Sequence, residues 1–431
     1  MNLKSYFLRK YFWLNDFFHG QPIRKQYRDI ASIIERKKGY KVRQQLYLKK
    51  ILSHAIKNTA FYSQYETIEL SRFPVVNKNI LRENYNDLCV GKENIPCQKD
   101  NVFIQKTSGS TGTPFAVPQS SNKRERRLAE LKYFGDAVGF KSHEKLVHLR
   151  VWNNWRAKTK KQIFWENIIP FDISKMDDAS LKDLCNVIVK EKAHTVRGYA
   201  SSLDMLAQYA KCHKISFPQL KLMIAGSEAL QDSTRDVVAE LGVDIISQYA
   251  NEENGILAQE YPKQPKKIFF LNDASYVFEI LKLGSDLPAE RGELGRIVIT
   301  DLFNYAFPMI RYDTGDVGVF GEKDGRKVLT ALYGRRIDLV YDINGSVISP
   351  MSLTRIFKDC DYIQQWQFLQ QDEKEYEIRL VLTDNADVSI ELKRELQLLL
   401  GEHANVVFTL VQDIPLLDSR KRKPVVNLWK K

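Results

Sequence analysis

Apolar residues recur at helical spacing early in the chain. Within residues 42–57, the i, i+3, i+4, i+7, i+8 pattern of an amphipathic helix is carried by Leu48, Ile51, Leu52, Ala55 and Ile56. The following stretch, 61–88, has no such period and is interpreted as irregular, with a short helix from about Lys78. Residues 102–105 are apolar enough to predict a short strand.

From residue 181 the pattern alternates between helical and extended periods. Helical spacing marks residues 181–188, 203–210 and 229–241, and short apolar runs mark residues 194–197, 220–225 and 243–247. Strands that alternate with helices predict βαβ units and a parallel sheet. Ligands of such sheets bind beyond the carboxyl ends of the strands. Two polar segments, 226–228 and 249–253, follow strands at that edge.

The pattern changes again in the last third of the chain. Residues 276–333 hold short apolar strands separated by glycine turns, typical of a small barrel or sandwich, and residues 376–382 and 391–400 return to a strand and a helix. We therefore predict an α/β protein whose large domain has mixed and parallel sheets plus a small barrel-like β section, followed by a small C-terminal α/β domain. The predicted boundaries are 1–40 for an N-terminal extension, 41–334 for the large domain and 335–431 for the small one.

Composition is ordinary for a globular protein, apart from a basic charge balance. The 431 residues are 44% apolar and 27% charged, and 65 lysines and arginines face 53 aspartates and glutamates, a net charge of +12. The basic runs 123–127 and 420–423 carry part of this excess, and we interpret them as solvated faces. No helix-turn-helix, zinc-finger or RNP signature accompanies the charge, so nucleic acid is not an expected partner.

The cysteines and the hydropathy bear on the compartment. Five dispersed cysteines without CxxC spacing argue against a disulfide framework and a zinc site, and fit a reducing compartment. No run approaches the roughly 20 apolar residues of a membrane span. The cytoplasm is the expected location.

The first twenty residues combine aromatic and basic side chains. One interpretation is a helix docked on the protein's own surface, which we favour because its apolar residues nearly encircle the helix. The alternative is peripheral membrane contact through residues 1–20, with aromatics at headgroup level and cations toward anionic lipid. The apolar residues are Tyr6, Phe7, Leu8, Tyr11, Phe12, Trp13, Leu14, Phe17 and Phe18, and the cations are Lys4, Arg9 and Lys10.

A run of hydroxyl residues and glycines follows the strand at 102–105. Glycines let backbone amides approach a phosphate, and hydroxyls add donors. The run lacks the lysine of a Walker A loop and the GxSxG of a nucleophile elbow, and its composition alone is more typical of a flexible loop. Its residues are Thr107, Ser108, Gly109, Ser110, Thr111, Gly112 and Thr113, followed by Pro114.

This run, TSGSTGTP, closely resembles the phosphate-loop signature of the adenylate-forming superfamily. Within it the chain is most similar to the phenylacetate-CoA ligase family, especially the branch associated with capsular polysaccharide biosynthesis. The resemblance extends from about residue 40 to residue 427, because further segments follow in the family's order. They are residues 61–62, 73–76, 81–84, 225–228, 249–253, 308–316, 333–335 and 417–426.

The resemblance implies a role for each segment. Residues 107–113 would hold the phosphates of ATP, and Asp316 would accept hydrogen bonds from both ribose hydroxyls. Glu253, a catalytic residue, would help to hold Mg²⁺, a hard cation that suits carboxylate oxygens. The adenine and ribose wall would comprise Gly226, Ser227, Glu228, Tyr249, Ala250, Asn251, Asp316 and Arg335.

Three motifs depart from the family pattern. Glu252 stands where a hydroxyl is commoner, which makes it a competing metal ligand. Ile337 occupies the usual hinge position, on which the small mobile domain would turn, and Asp338 is the alternative hinge. Lys421 aligns best with the catalytic lysine, whose mobile point charge follows charge as it forms, although Arg420 replaces the glycine that usually precedes this lysine. Lys423 is the alternative.

Together these residues imply ATP-dependent activation of a small carboxylic acid through an acyl-adenylate, with release of pyrophosphate. CoA is the usual acyl acceptor in the family, and an amine or hydroxyl of a sugar, such as an amino sugar, is the alternative. A catalytically inactive nucleotide-binding scaffold is a further alternative, because of the departures at Glu252, Ile337 and Arg420. Residues 147–155 and the surroundings of Tyr199 are expected to shape the acid pocket.

Overall fold

The chain divides into two compact units. Its computed structural model describes residues 3–99, 101–106, 115–152, 157–262, 267–335, 340–348, 353, 356–357, 360, 362–383, 388–414 and 424–429, with only the backbone of residues 334, 335 and 347. The larger unit is Met1–Thr314 with Gly318–Leu332, and the smaller is Gly315–Val317 with Tyr333–Lys431.

Helices occupy the N-terminal part and the flanks of the large sheet. Those of the larger unit are α1 (Leu3–Phe18), α2 (Pro22–Ile34), α3 (Tyr40–Asn58), α4 (Lys78–Glu83), α5 (Tyr85–Leu88), α6 (Ser121–Ala137), α7 (Lys160–Glu166), α8 (Asp178–Lys190), α9 (Ala200–Cys212) and α10 (Asp232–Glu240). The smaller unit has α11 (Ile390–Leu400). The helix predicted within residues 42–57 is confirmed as α3.

The strands, in chain order, are β1 (Phe103–Lys106), β2 (Ala116–Gln119), β3 (Leu146–Arg150), β4 (Ile168–Asp172), β5 (Thr195–Tyr199), β6 (Leu222–Gly226), β7 (Asp244–Asn251), β8 (Gly255–Gln259), β9 (Phe269–Leu271), β10 (Tyr276–Leu281), β11 (Leu294–Asp301), β12 (Tyr312–Lys323), β13 (Arg326–Arg335), β14 (Val340–Tyr341), β15 (Val347–Ile348), β16 (Ile363–Gln370), β17 (Glu375–Leu382), β18 (Asn405–Leu410) and β19 (Val425–Asn427).

Within the described residues, one mixed sheet of eleven strands dominates the larger unit. Its order is β10-β11-β12-β13-β9-β8-β7-β6-β5-β3-β4. Strands β4, β3, β5, β6 and β7 are parallel, whereas β8 and β9 join antiparallel. The predicted α/β class with a parallel sheet is confirmed.

The parallel strands pack against the helices that alternate with them. In α8, Leu181, Leu184, Cys185 and Ile188 recur at helical spacing, and all four are buried. The helix begins after Asp177, whose carboxylate accepts a hydrogen bond from the Ser180 amide at 2.9 Å, as expected for an N-cap. The core between sheet and helices thus follows directly from the apolar pattern.

The N-terminal helices are docked on the larger unit. Ser5 and Leu8 of α1 are buried, and Asp16 at its end accepts hydrogen bonds from the amides of Ile23 and Arg24 at 2.9 and 3.0 Å. Asp16 thereby satisfies free amides in the first turn of α2. Helix α2 in turn packs its isoleucines against α6.

The interpretation of residues 123–127 as a solvated face is wrong for two of its cations. The side chains of Lys123 and Arg126 on α6 are 0% exposed. Lys123 Nζ lies 2.5 Å from the Asp301 carboxylate and Arg126 2.7 Å from that of Asp29. Charges can be buried because these partners replace the lost water, and both partners lie far away in sequence.

The smaller unit contains a sheet of four described strands, ordered β18-β17-β16-β19. Leu392, Leu396 and Leu400 of α11 belong to its buried core, together with Phe368 and Ile378 of the sheet. Strands β14 and β15 pair as a short antiparallel hairpin.

All five cysteines are free thiols. Of the helices that the structure describes, none combines the length and the apolar character needed to cross a bilayer.

Candidate nucleotide and acid site

The first predicted segment of the site follows β6. Gly226 is the last residue of this strand, and Ser227 takes a left-handed backbone conformation with φ of 67°. The Glu228 carboxylate accepts a hydrogen bond from the Ser201 amide in the first turn of α9, at 2.8 Å. Glu228 is therefore oriented by a helix N-terminus, whose partial positive charge favours a carboxylate.

The second segment ends β7 and meets β12. Tyr249 is buried, and its hydroxyl donates to Thr314 Oγ1 at 3.2 Å. Thr314 in turn donates to the Ile297 carbonyl at 2.9 Å. Since Asp316 follows Thr314 by two positions on β12, two segments that the sequence assigned separately to adenine and ribose are joined by a side-chain hydrogen bond.

Ala250 and Asn251 are the last two residues of β7 and are half-buried. Asn251 Oδ1 accepts a hydrogen bond from the Asn254 amide at 2.8 Å. This hydrogen bond closes the turn that contains Glu252 and Glu253, so the Asn251 side chain stabilises the local backbone.

Glu253 is buried, and its carboxylate is held from two sides. The Tyr312 hydroxyl donates to Oε1 at 3.0 Å, and Lys78 Nζ lies 3.6 Å from the same oxygen. The backbone carbonyl of Glu253 accepts from Gln119 Nε2 at 3.0 Å. A carboxylate with one oxygen engaged keeps acceptor capacity on the other, which suits a cation that binds through one protein ligand and keeps its waters.

Glu252 is engaged differently. Its Oε1 lies 2.5 Å from the Arg150 guanidinium, and its Oε2 accepts from Gln105 Nε2 at 3.1 Å. Both carboxylate oxygens thus have donors, so metal binding by Glu252 would have to displace one of them. Among the described residues, no three His, Cys, Asp or Glu side chains converge as a metal site.

Both strands that flank the hydroxyl-rich run contact this glutamate pair. Strands β1 and β2 pair antiparallel, with Lys106 opposite Ala116. Gln105 on β1 reaches Glu252, and Gln119 on β2 reaches the Glu253 carbonyl. Residues 107–114 themselves lie outside the described residues.

Other predicted residues also lie outside the description. They are Ile337 and Asp338 of the hinge, and Lys421 and Lys423 of the C-terminal motif. Only the backbone of Arg335 is described, at the end of β13.

A cationic group lies on the sheet, within the segments expected to shape the acid pocket, but sequence reasoning did not single out its residues. Arg197 on β5 is aligned with His148 on β3, and its guanidinium donates to Gln248 Oε1. Burial, and then the nearby Arg150 charge, lower the pKa of Arg197 to about 10. Burial and the same two arginines hold the pKa of His148 well below its usual range, so this imidazole is neutral. The available signal was polar residues at alternate positions of otherwise apolar strands.

The chain is similar to known proteins over most of its length. Residues 340–428 match the family described as the CapK C-terminal domain. The chain is 23% identical to protein CapK of Staphylococcus aureus, covering 86% of this chain and 85% of that one. It is 25% identical to the phenylacetate-coenzyme A ligase of Pseudomonas putida, covering 76% and 74%.

A solved structure shares the fold. The crystal structure of 2-hydroxyisobutyryl-CoA ligase in the postadenylation state, in complex with R3-HIB-AMP, superposes with a TM-score of 0.70 at 17% identity, covering 91% of this chain and 90% of that one. The fold is therefore that of the adenylate-forming ligases. The predicted resemblance to the phenylacetate-CoA ligase family and its capsule branch is confirmed as a similarity, to the Pseudomonas enzyme and to CapK.

Proposed function

We propose that this protein uses ATP to activate a carboxylic acid as an acyl-adenylate, with release of pyrophosphate, and then transfers the acyl group to CoA. The observation that carries the proposal is the hydrogen bond between Tyr249 and Thr314. It joins the segment proposed for adenine to Thr314, two positions before Asp316, the residue proposed for ribose.

In this proposal the triphosphate lies along residues 107–113, the adenine beside Tyr249 and Gly226, and the ribose on Asp316. The acid's carboxylate attacks the α-phosphorus, and pyrophosphate leaves. No protein nucleophile is needed, because positioning and preorganised charge lower the barrier. Lys421 follows the charge that develops at the phosphorus.

Magnesium would be held in part by Glu253 and, when bound, would offset charge on the phosphates. Among the described residues, one oxygen of Glu253 is engaged, which supports this assignment over Glu252, whose two oxygens both have donors. The chain's own contribution is to hold the carboxylate in position, through Tyr312 and Lys78.

The acceptor has two candidates. CoA is favoured by the relatives, since the phenylacetate and 2-hydroxyisobutyryl enzymes are both CoA ligases by name. An amine or hydroxyl of a sugar is the second candidate, motivated by the similarity to CapK and the capsule branch.

ATP–pyrophosphate exchange across a panel of aryl, acyl and amino acids tests the first step. We expect exchange with at least one acid, loss of exchange in Asp316→Ala and a sharp decrease in Lys421→Ala, with Lys423→Ala as the matched variant. ATP binding without exchange for any acid would favour the inactive scaffold instead. Addition of CoA or an amino sugar to the active acid then identifies the acceptor from the product.

A further inference from the structure

Helix α1 has two apolar faces, and only one of them is docked. Phe7 and Phe18 are 64% and 73% exposed, although the helix is held to the protein by Ser5 and Leu8 on its other side. The exposed apolar side chains recur at spacings of three and four, so they form one stripe along the helix. They are Leu3, Phe7, Tyr11, Leu14 and Phe18, with Phe17 beside them.

Helix α7 widens this stripe. The Trp165 ring stacks on Tyr11 with centroids 4.6 Å apart, and Lys4 Nζ lies 4.6 Å from the centre of the Phe164 ring. Phe164 is 51% exposed and Trp165 37%. The α1–α7 patch is defined here as the exposed apolar residues Leu3, Phe7, Tyr11, Leu14, Phe17, Phe18, Phe164 and Trp165.

The charges on these two helices favour an anionic partner. Exposed lysines accompany the patch on both helices, and they are Lys4, Lys10, Lys160 and Lys161. The two acidic residues are engaged within the protein: Asp16 is buried and caps α2, and Glu166 pairs with Lys158 at 2.7 Å. The patch is therefore apolar with a cationic border.

Among possible occupants, a lipid surface fits best. Single exposed apolar residues are ordinary, but contiguous ones mark an interaction surface. Aromatic side chains bordered by lysines are typical of helices that lie in the plane of an anionic bilayer interface. A second copy of the chain would bring two cationic borders together, which is unfavourable.

We propose that the α1–α7 patch binds the surface of an anionic lipid bilayer, with α1 lying in the interface plane. The docked face of α1 stays on the protein, so the exposed aromatic rings enter the headgroup layer while Lys10, Lys160 and Lys161 meet lipid phosphates. This interaction is independent of the proposed enzymatic function.

Co-sedimentation of the full-length protein with vesicles tests the proposal. We expect binding to phosphatidylcholine vesicles that contain about one-quarter phosphatidylglycerol, weaker binding to pure phosphatidylcholine, and a decrease at high salt. The Phe7→Ser/Tyr11→Ser double variant should lower the partition coefficient at least about tenfold. The matched control is Leu287→Ser, which changes a side chain that is 63% exposed outside the patch.

A variant of the lysines separates the electrostatic contribution to vesicle binding from the apolar one. Lys10→Glu/Lys161→Glu should weaken binding to the anionic vesicles and leave the residual binding to neutral ones unchanged. Circular dichroism and thermal unfolding verify that each variant is folded. Absence of wild-type binding to the anionic vesicles would overturn the proposal, as would a Phe7→Ser/Tyr11→Ser variant that binds them normally but loses self-association, which would identify a second copy as the occupant.

Discussion

The hydroxyl of Tyr312 donates a 3.0 Å hydrogen bond to the carboxylate of Glu253, although the two residues are 59 positions apart. Both side chains are buried. Tyr312, the first residue of β12, also forms a parallel β-bridge with Val76. Val76 lies just before α4, which carries Lys78. Two distant segments therefore converge on one carboxylate and hold it in a defined position, as a preorganised site requires.

Replacing Tyr312 by phenylalanine removes only this donor. A buried hydrogen bond to a charged acceptor contributes about 1.5–3 kcal/mol, so we expect the free energy of unfolding to fall by about 1–3 kcal/mol. We also expect a higher Mg²⁺ requirement for ATP–pyrophosphate exchange. Tyr376→Phe is the control, since that buried hydroxyl donates to the Tyr341 carbonyl in the smaller unit. It should change stability without changing the Mg²⁺ requirement.

Glu253→Gln tests the proposed metal ligand while keeping the side-chain shape. We expect exchange to fall by about 100-fold, since one charged ligand to the cation is lost. Glu252→Gln is the matched change at the neighbouring residue, and we expect a decrease below about tenfold because Glu252 is neutralised by Arg150. The opposite order of effects would assign the cation to Glu252.

Lys123→Met should be strongly destabilising. It leaves the Asp301 carboxylate buried without its cation, and breaking a buried pair costs about 3–5 kcal/mol. The comparison is Lys99→Met, which breaks an exposed pair with Glu125 on the same helix α6 and should cost at most about 1 kcal/mol. Chemical denaturation measures both values, and equal losses would contradict the importance of burial.

Acidic pH should destabilise the folded protein at the contact between α1 and His143. His143 packs against Phe12 of this helix with ring centroids 5.1 Å apart. Burial, then the charges of Lys132 and Arg9, lower the pKa of His143 from 6.5 to about 3. Between about pH 3 and pH 6.5 the unfolded chain therefore binds more protons at His143 than the folded chain. The contribution of His143 to the free energy of unfolding is fully present above about pH 6.5 and is lost as the pH decreases.

His143→Asn removes this proton-linked loss, and asparagine tolerates the positive φ of 64° at this position. We expect the decrease in unfolding free energy from about pH 7.5 to about pH 5 to shrink by about 1–2 kcal/mol. Urea denaturation at the two pH values measures it. A residual decrease should persist because the pKa of buried His148 is lowered as well. His403→Asn, the same substitution at an exposed histidine, is the control variant.

Local periodicity was sufficient for much of the fold. The apolar spacing within residues 42–57 predicted α3, and the run 220–225 predicted β6, because a period of 3.6 or a short buried run reports the local backbone directly. The order of the motifs also predicted that the segments of Tyr249, Glu253 and Asp316 belong to one site, which stays a prediction. Each of these patterns lies within one contiguous stretch of sequence, so it can be recognised without knowing which elements are neighbours in the fold.

Other features depended on neighbours that are distant in sequence. Lys123 and Arg126 look like a solvated helix face, but α6 is covered by α2 and the sheet, so their charges are paired with Asp301 and Asp29. The strands at 277–280 and 295–300 could each be predicted from the sequence. Their membership of the eleven-stranded sheet could not, because it follows from the antiparallel pairing through β8 and β9.

The candidate site likewise combines features that the sequence predicts with features that only the structure shows. The resemblance of several ordered motifs to a known family predicted which segments would carry nucleotide chemistry. Only the tertiary structure decided that Tyr312 and Lys78 hold Glu253, that Arg150 and Gln105 engage Glu252, and that one face of α1 remains exposed. The physical reason is that hydrogen bonds, ion pairs and burial depend on distances in space, which chain packing sets and the local pattern does not encode.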